Sequence, residues 1–278
     1  GGRLGSAMDC VDLLVSRDPA RIGQILEILE SSNKKRKGIE DLILEQALEQ
    51  VEREELLKDP VLVVADPRWH LGVVGIVAAR LVDRYYRPAI VLATENGITK
   101  GSCRSIDGFA LHEALEACHD LLLAHGGHAM AAGCTLDTKN IALFRERINT
   151  HAIQTLKQKD LTPKLQLDDE ARLEDLTQAV VKEIGMIAPH GPGNPEPAFS
   201  ASHVKIAGQP RLMGKKSDHL SFMVSQGEAS LRVVGFGMGD LYEPLLAART
   251  CSIAFTPMLN EWNGRTSVEL RLSDVKFV

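Results

Sequence analysis

The chain has no CxxC pair and no cluster of cysteine and histidine at metal-ligand spacing: its five cysteines, Cys10, Cys103, Cys118, Cys134 and Cys251, are odd in number and scattered. Neither a disulfide framework nor a zinc site is suggested, and a reducing cytoplasm is the expected setting. No apolar run approaches the roughly 20 residues that span a bilayer, and no charged-then-apolar leader opens the chain, so no membrane partner is expected. Basic excess is missing too. With a formal charge of −5 over 278 residues, any nucleic-acid site has to be a local groove and not a general coating. Internal repeats and low-complexity tracts are also lacking. What remains, 44% hydrophobic and 25% charged residues, is the composition of a globular protein long enough for two domains.

The opening GGRLGSAMD, without an initiator Met, reads like the interior of a folded domain; residues 1–17 are expected to be the tail of a domain whose greater part lies upstream. From 18 to 58, Leu, Ile, Glu, Lys and Arg predominate, and apolar residues recur at helical spacing (Ile22, Ile25, Leu26, Leu29, Ile39, Leu42, Ile43, Leu48, Val51). This predicts one long connecting helix, or two broken near Ser31–Asn33. Then VLVVA, a loop DPRWH, a helical GVVGIVAARLVDRYY and AIVLA form a βαβ pattern, which requires a sheet with at least one parallel pair. A strand TKGSCRS, a helix from Ala110, a GGH loop, a short strand near Gly133–Leu136 and a helix from Asn140 to about Gln158 complete an α/β domain of mixed sheet and flanking helices over 59–160.

Pro163 and its polar neighbours in QKDLTPKL mark a boundary. Beyond it, Leu173–Gly185 reads as a short helix and the rest as five strands, HVKIAG, HLSFMVS, SLRVVGFG, CSIAFTPML and RTSVELRLSDVKF, with one small helix over Asp240–Ala247. Five short strands with Gly-rich turns suit an OB-like β-barrel over 161–278, with a sandwich as the alternative. PHGPGNPEP reads as a rigid crossover between helix and strand.

Three stretches of the first domain put a polar group beside residues too small to block approach. In RWHLGVVGIVA, His70 precedes a helix, so its ring and the free N–H groups of the first turn can face one anion. In KGSCRS, Arg104 lies between Ser102 and Ser105, a guanidinium fork with hydroxyl donors beside it. In GGHAMAAG, Gly126 and Gly127 permit conformations closed to other residues, and His128 offers a donor adjustable near neutral pH. Alone, the Arg104 and GGH stretches are more often structural and the His70 stretch is as readily a packed helix entry as a site; three within about sixty residues favour phosphate binding. In the second domain Lys205, Arg211, Lys215 and Lys216 occur without an acidic residue among them, and Trp262 in NEWNG is the candidate for stacking on a base. Phe222 and Phe236, at strand spacing, read more readily as core.

Taken together, WHLGVVGIVAARL, GSCRS and GGHAMAAG resemble the DHHA1 domain of the DHH phosphoesterase superfamily. GGRLGSA, the connecting helix, PHGPGNPEPAF and EWNGRTSVELRLSDV resemble its RecJ branch of bacterial single-strand DNA exonucleases, with His190 standing where that branch commonly has an aromatic residue. The resemblance implies 5′-to-3′ removal of nucleotides from single-stranded DNA in repair and recombination, with Mn2+ or Mg2+ held by an N-terminal DHH domain, and single-strand binding protein and a helicase as protein partners. It assigns the substrate phosphate to Arg104 and His128 with its glycines, and to His70 as a third contact. The sequence has no DHH triplet, so the chain alone is expected not to cleave. The competing expectations are a non-catalytic module that binds single strands or docks a partner, and a DHHA1 protein acting on short oligonucleotides, cyclic dinucleotides or aminoacyl-tRNA.

Overall fold

A computed structural model describes residues 3–157 and 161–277. Gly1 and Gly2 of the opening stretch, the expected helix end at Gln158 and the QKD of the boundary lie outside the described residues. The chain forms two compact units, Gly1–Pro163 and Lys164–Val278.

In the first unit, α1 (Ala7–Val15) leads through Asp18, whose carboxylate accepts the Ala20 N–H at 3.0 Å, into α2 (Pro19–Arg53). An aspartate cap followed by proline at the first helical position starts a helix efficiently. No break occurs near Ser31–Asn33: Asn33 Oδ1 accepts from the Arg36 guanidinium at 3.0 and 3.2 Å, so this polar side chain does not compete for backbone donors. Next come β1 (Leu62–Asp66), α3 (Val74–Tyr85), β2 (Ala89–Glu95), β3 (Ile98–Arg104), α4 (Leu111–Glu116), β4 (Leu122–Gly127), β5 (Ala131–Asp137) and α5 (Ile141–Thr155). The sheet order is β1-β2-β3-β5-β4, with β1 and β2 parallel and the remaining neighbours antiparallel.

Both faces are covered at β1 and β2, so these two strands read as apolar runs without polar alternation, whereas β5 alternates and β4 is exposed. Leu62, Val64 and Val91 pack with Ile43 and Val51 of α2 and Val77 and Leu81 of α3. Val63, Ile90, Leu92 and Cys103 pack on the other side with Leu115 of α4 and Phe144 and Ile148 of α5. Side chains take two backbone donors along the open edge at β1, the Val61 N–H just before it by Asn149 Oδ1 at 2.8 Å and the Ala65 N–H within it by Gln50 Oε1 at 3.1 Å. One element departs from expectation: LLAHGG is not the end of a helix or a loop but the edge strand β4, hairpinned to β5.

The second unit contains β6 (Asp169–Glu170), α6 (Gln178–Gly185), β7 (Phe199–Met213), β8 (His219–Gln226), β9 (Ala229–Gly235), α7 (Tyr242–Ala247), β10 (Thr250–Trp262) and β11 (Arg265–Phe277). A single 3-10 turn at Leu173–Asp175 precedes α6, so the expected helix over 173–185 is two pieces. The order β7-β8-β9-β11-β10 closes because β10 also pairs with β7, giving a five-stranded barrel and not a sandwich. Bulges between Ala207 and Arg211 in β7 and at Ser273 of β11, opposite Ala254/Phe255 of β10, supply the curvature closure needs. Its core holds Leu220, Phe222, Val224, Val233, Phe255 and Leu270. The PHGPGNPEP segment joins α6 to β7, braced by Asn194, whose amide donates to the carbonyls of Ile187 at 3.0 Å and Pro189 at 2.9 Å.

Candidate functional site

The phosphate candidates of the first unit are placed by strand register. Arg104, the last residue of β3, lies opposite Ala131 of β5, whose carbonyl accepts the His128 N–H at 2.8 Å. Two strand spacings of about 4.8 Å put the Arg104 and His128 backbones roughly 10 Å apart, a gap two long side chains can close. His128 is exposed and Arg104 half-buried. The Arg104 Nη1 donates to Ser102 Oγ at 3.2 Å and to the Cys103 carbonyl at 2.8 Å. Those contacts anchor one arm and leave the other donors of the fork unspent.

Close approach around this pair comes from glycine. A Cβ on Gly75, in the first turn of α3, would lie 2.9 Å from Ser102 Oγ and 3.3 Å from Arg104 Nη2. Helix α3 can therefore bring its first turn, where Val74 and Gly75 have no carbonyl of the helix to bond, against Ser102 and Arg104. Gly127 has φ +138°, and a Cβ there would stand 2.5 Å from the Ala131 carbonyl oxygen; only glycine turns the chain at this point. Gly126 has open space around it. The turn Ala129–Met130 is pinned by backbone bonds, Ser105 N–H to the Met130 carbonyl and Leu111 N–H to the Ala129 carbonyl, both 3.0 Å.

Two expected contacts sit elsewhere. Ser105 is buried, and its hydroxyl donates to the Phe109 carbonyl at 2.6 Å, which shapes the loop after β3 and leaves no proton for a phosphate. His70 is exposed, its Nδ1 accepts the Gly72 N–H at 2.9 Å, and it lines a cavity of about 610 Å3 with Thr94, Asn96 and Lys100. Lys100 precedes Arg104 by four strand residues, about 13 Å, so His70 is grouped with the start of β3 and the Arg104–His128 pair with its end. Behind the site, Cys103 hydrogen-bonds Cys134, which together with burial pushes its thiol well above the ordinary range. It is packing and not a nucleophile.

On the barrel, cation placement is the informative feature. Lys205, Arg211, Lys215 and Lys216 are exposed and, among the described residues, enter no ion pair. Charge unspent within the fold is available to a polyanion. Lys215 and Lys216 lie in the β7–β8 loop and Trp262, 73% exposed, at the β10–β11 turn; these two loops flank the ligand face of OB barrels. Phe222 is buried at 3% and belongs to the core, whereas Phe236 is 57% exposed, contrary to its strand-like spacing. The two glycines that bracket it, Gly235 ending β9 and Gly237 at φ +70°, are the sequence signal for a turn that carries the ring outward.

Residues 58–154 match the DHHA1 domain and residues 167–274 the RecJ OB domain. The chain is similar to the single-stranded-DNA-specific exonuclease RecJ of Bacillus subtilis, 37% identical over 275 residues that cover 98% of this chain and 35% of that protein. It is also similar to RecJ of Escherichia coli, 31% identical over 284 residues, 99% of this chain and 48% of that protein. The crystal structures of Thermus thermophilus RecJ with Mn2+ and with Mg2+ superpose with TM-scores of 0.83 and 0.80 at 30% identity, covering 99% of this chain and 39% and 41% of theirs. The chain thus spans about a third to a half of the length of the curated relatives it matches. Among the described residues, no group of three or more His, Cys, Asp or Glu side chains could hold a metal ion, and no helix is long and apolar enough to cross a membrane.

Proposed function

Because the two domains of this chain belong to the DHHA1 and RecJ OB families, we propose that it is the phosphate-holding and strand-guiding part of a single-stranded-DNA-specific 5′-to-3′ exonuclease of DNA repair and recombination. The observation that carries this reading is the row Arg104–Ala131–His128 at one end of the sheet, with glycine at 75 letting α3 approach Ser102 and Arg104 closely and glycine at 127 turning the chain into His128. A half-anchored guanidinium there adds a fixed positive field and two parallel donors for the oxygens of a terminal phosphate. The first turn of α3 adds backbone N–H groups to the same anion. His128 supplies a further donor across the row. The cations of the barrel that have no ion pair among the described residues give the second unit its own hold on a single strand.

Mn2+ or Mg2+, as in the two Thermus structures, would neutralise developing charge and activate water in the complete enzyme. Among the described residues no group of three or more His, Cys, Asp or Glu side chains fits such an ion, and in this reading the ligands for it belong to another part of the complete enzyme. A cytoplasmic location and contacts with single-strand binding protein and a helicase accompany this reading.

The test compares binding of a 5′-phosphorylated and a 5′-hydroxyl oligothymidylate to the chain by fluorescence anisotropy with Mn2+ present. The phosphorylated strand should bind about tenfold more tightly and stay intact, and Arg104→Ala should erase the difference. Equal affinities for the two strands would remove the phosphate site from the reading.

A further inference from the structure

Helix α3 starts without a polar cap. Its N-cap residue is Val73, whose side chain offers no oxygen, and no side-chain capping bond is made there. A serine or aspartate in that position would take the N–H of the second or third helical residue. With valine, the Val74 and Gly75 N–H groups take no bond among the described residues. An uncapped helix end frays unless something else orders it. Here the order comes from the residues just before the helix. The His70 carbonyl accepts the Val73 N–H at 3.1 Å, and His70 Nδ1 accepts the Gly72 N–H at 2.9 Å. The result is a β-turn over 70–73 in which the imidazole stands where an asparagine or aspartate side chain commonly accepts from the residue two further on.

This turn is gripped from several sides. Immediately before it, Trp69 is buried and its Nε1 donates to Gln46 Oε1 of α2 at 2.9 Å. A Cβ on Gly72 would stand 2.4 Å from the Arg3 carbonyl oxygen and 3.0 Å from the His70 ring, so the opening segment of the chain and the imidazole close on the same glycine. Three residues on, Gly75 brings the helix against Ser102 Oγ and Arg104 Nη2 in the same way. The turn that His70 holds is therefore the support on which the first turn of α3 meets the arginine.

We propose that His70 is a positioning residue and not a phosphate contact: by holding the 70–73 turn it sets where α3 lies against Arg104, and so fixes the guanidinium for a terminal phosphate. Because it orders the helix start from outside the helix, it does so without spending the Val74 and Gly75 N–H groups. The proposal deepens the phosphate-site reading and rests on it. What His70 contributes is the acceptor Nδ1, and neither charge nor a donor.

That distinction sets the test, which reads the ratio of affinities for 5′-phosphorylated and 5′-hydroxyl oligothymidylate by fluorescence anisotropy. Asparagine carries Oδ1 on Cγ where histidine carries Nδ1, so His70→Asn keeps an acceptor without a ring, whereas His70→Lys keeps a cation without an acceptor. His70→Asn should retain the parent's preference for the 5′-phosphate. His70→Ala and His70→Lys should each lower it about fivefold, and Gly72→Ala should do the same, since the imidazole and the Arg3 carbonyl would both have to move. His70 is exposed, so replacing it leaves the core intact. If His70→Asn loses the preference, whether or not His70→Lys keeps it, the site uses the imidazole itself and the proposal is wrong. It is equally wrong if His70→Ala discriminates as the parent does. A parent chain with no preference for the phosphate would sink the phosphate-site reading and this proposal with it.

Discussion

Gly126 and Gly127 are neighbours in one strand, yet the backbone requires only the second. Gly127 sits at φ +138° with the Ala131 carbonyl and the Ala132 Cα each 2.5 Å from where a side chain would begin; Gly126 meets nothing within 4 Å. Gly127→Ala should therefore cost about 1–3 kcal/mol through strain and backbone displacement. Gly126→Ala should change stability by less than about 0.5 kcal/mol. Urea midpoints of the two variants decide this, and equal losses would mean that the turn does not depend on the left-handed geometry of Gly127. The same contrast separates Ser102 from Ser105: both flank Arg104 in sequence, but Ser102 Oγ accepts from the arginine while the Ser105 hydroxyl is committed to Phe109. Sequence spacing made them equivalent; the turn of the chain after β3 did not.

At the scale of elements, helix α2 ends in a network that binds it to α5. Its C-cap residue Glu54 accepts from Gln50 Nε2 at 2.8 Å and from the Arg145 guanidinium at 2.8 Å. Burial alone would push the Glu54 carboxyl up, but these donors and the arginine charge outweigh it and hold it below its usual value near 4.5. A carboxyl depressed in the folded state contributes stability above its unfolded value, and that contribution is lost as pH falls through the folded one. Glu54→Gln should accordingly lower stability near neutrality and flatten its decline on acidification below about pH 4.5. Parallel stability–pH curves for parent and variant would show that Glu54 is not paired in the native state. Strand β4 was the element that sequence patterning missed: Leu122–Gly127 is a fully one-sided edge with a single large apolar residue inward of Leu123, too short and too small in its side chains to show alternation.

For the whole molecule, each unit encloses its own core: two clusters on the faces of the first sheet, one inside the barrel. Units with separate cores unfold separately. Phe255 is fully buried in the barrel, so Phe255→Ala should destabilise that unit by about 3–5 kcal/mol and lower one of two calorimetric transitions. The other transition should stay in place. A shift of both together would establish a single cooperative unit.

The sequence by itself determined the architecture. Continuous apolar runs declare strands covered on both faces, the βαβ spacing requires a parallel pair, and Gly-rich turns at short intervals suit a barrel, because each of these is a local demand that burial makes on the chain. It also singled out Arg104, His128 and the basic run from Lys205 to Lys216, since glycine and unpaired charge are unusual enough to be seen in one dimension. Only the tertiary structure decided which of them meet. Strand register put Arg104 and His128 in one row and grouped His70 with Lys100 instead, and the closing pair of β10 with β7 turned five strands into a barrel and not a sandwich. Phe222 and Phe236 both sit at strand spacing in sequence, and only the second is bracketed by glycines. One is core and the other exposed because β8 continues past Phe222 while β9 ends at Gly235. Where a strand stops is set by what it pairs with, and the pairing partner lies far away in the chain.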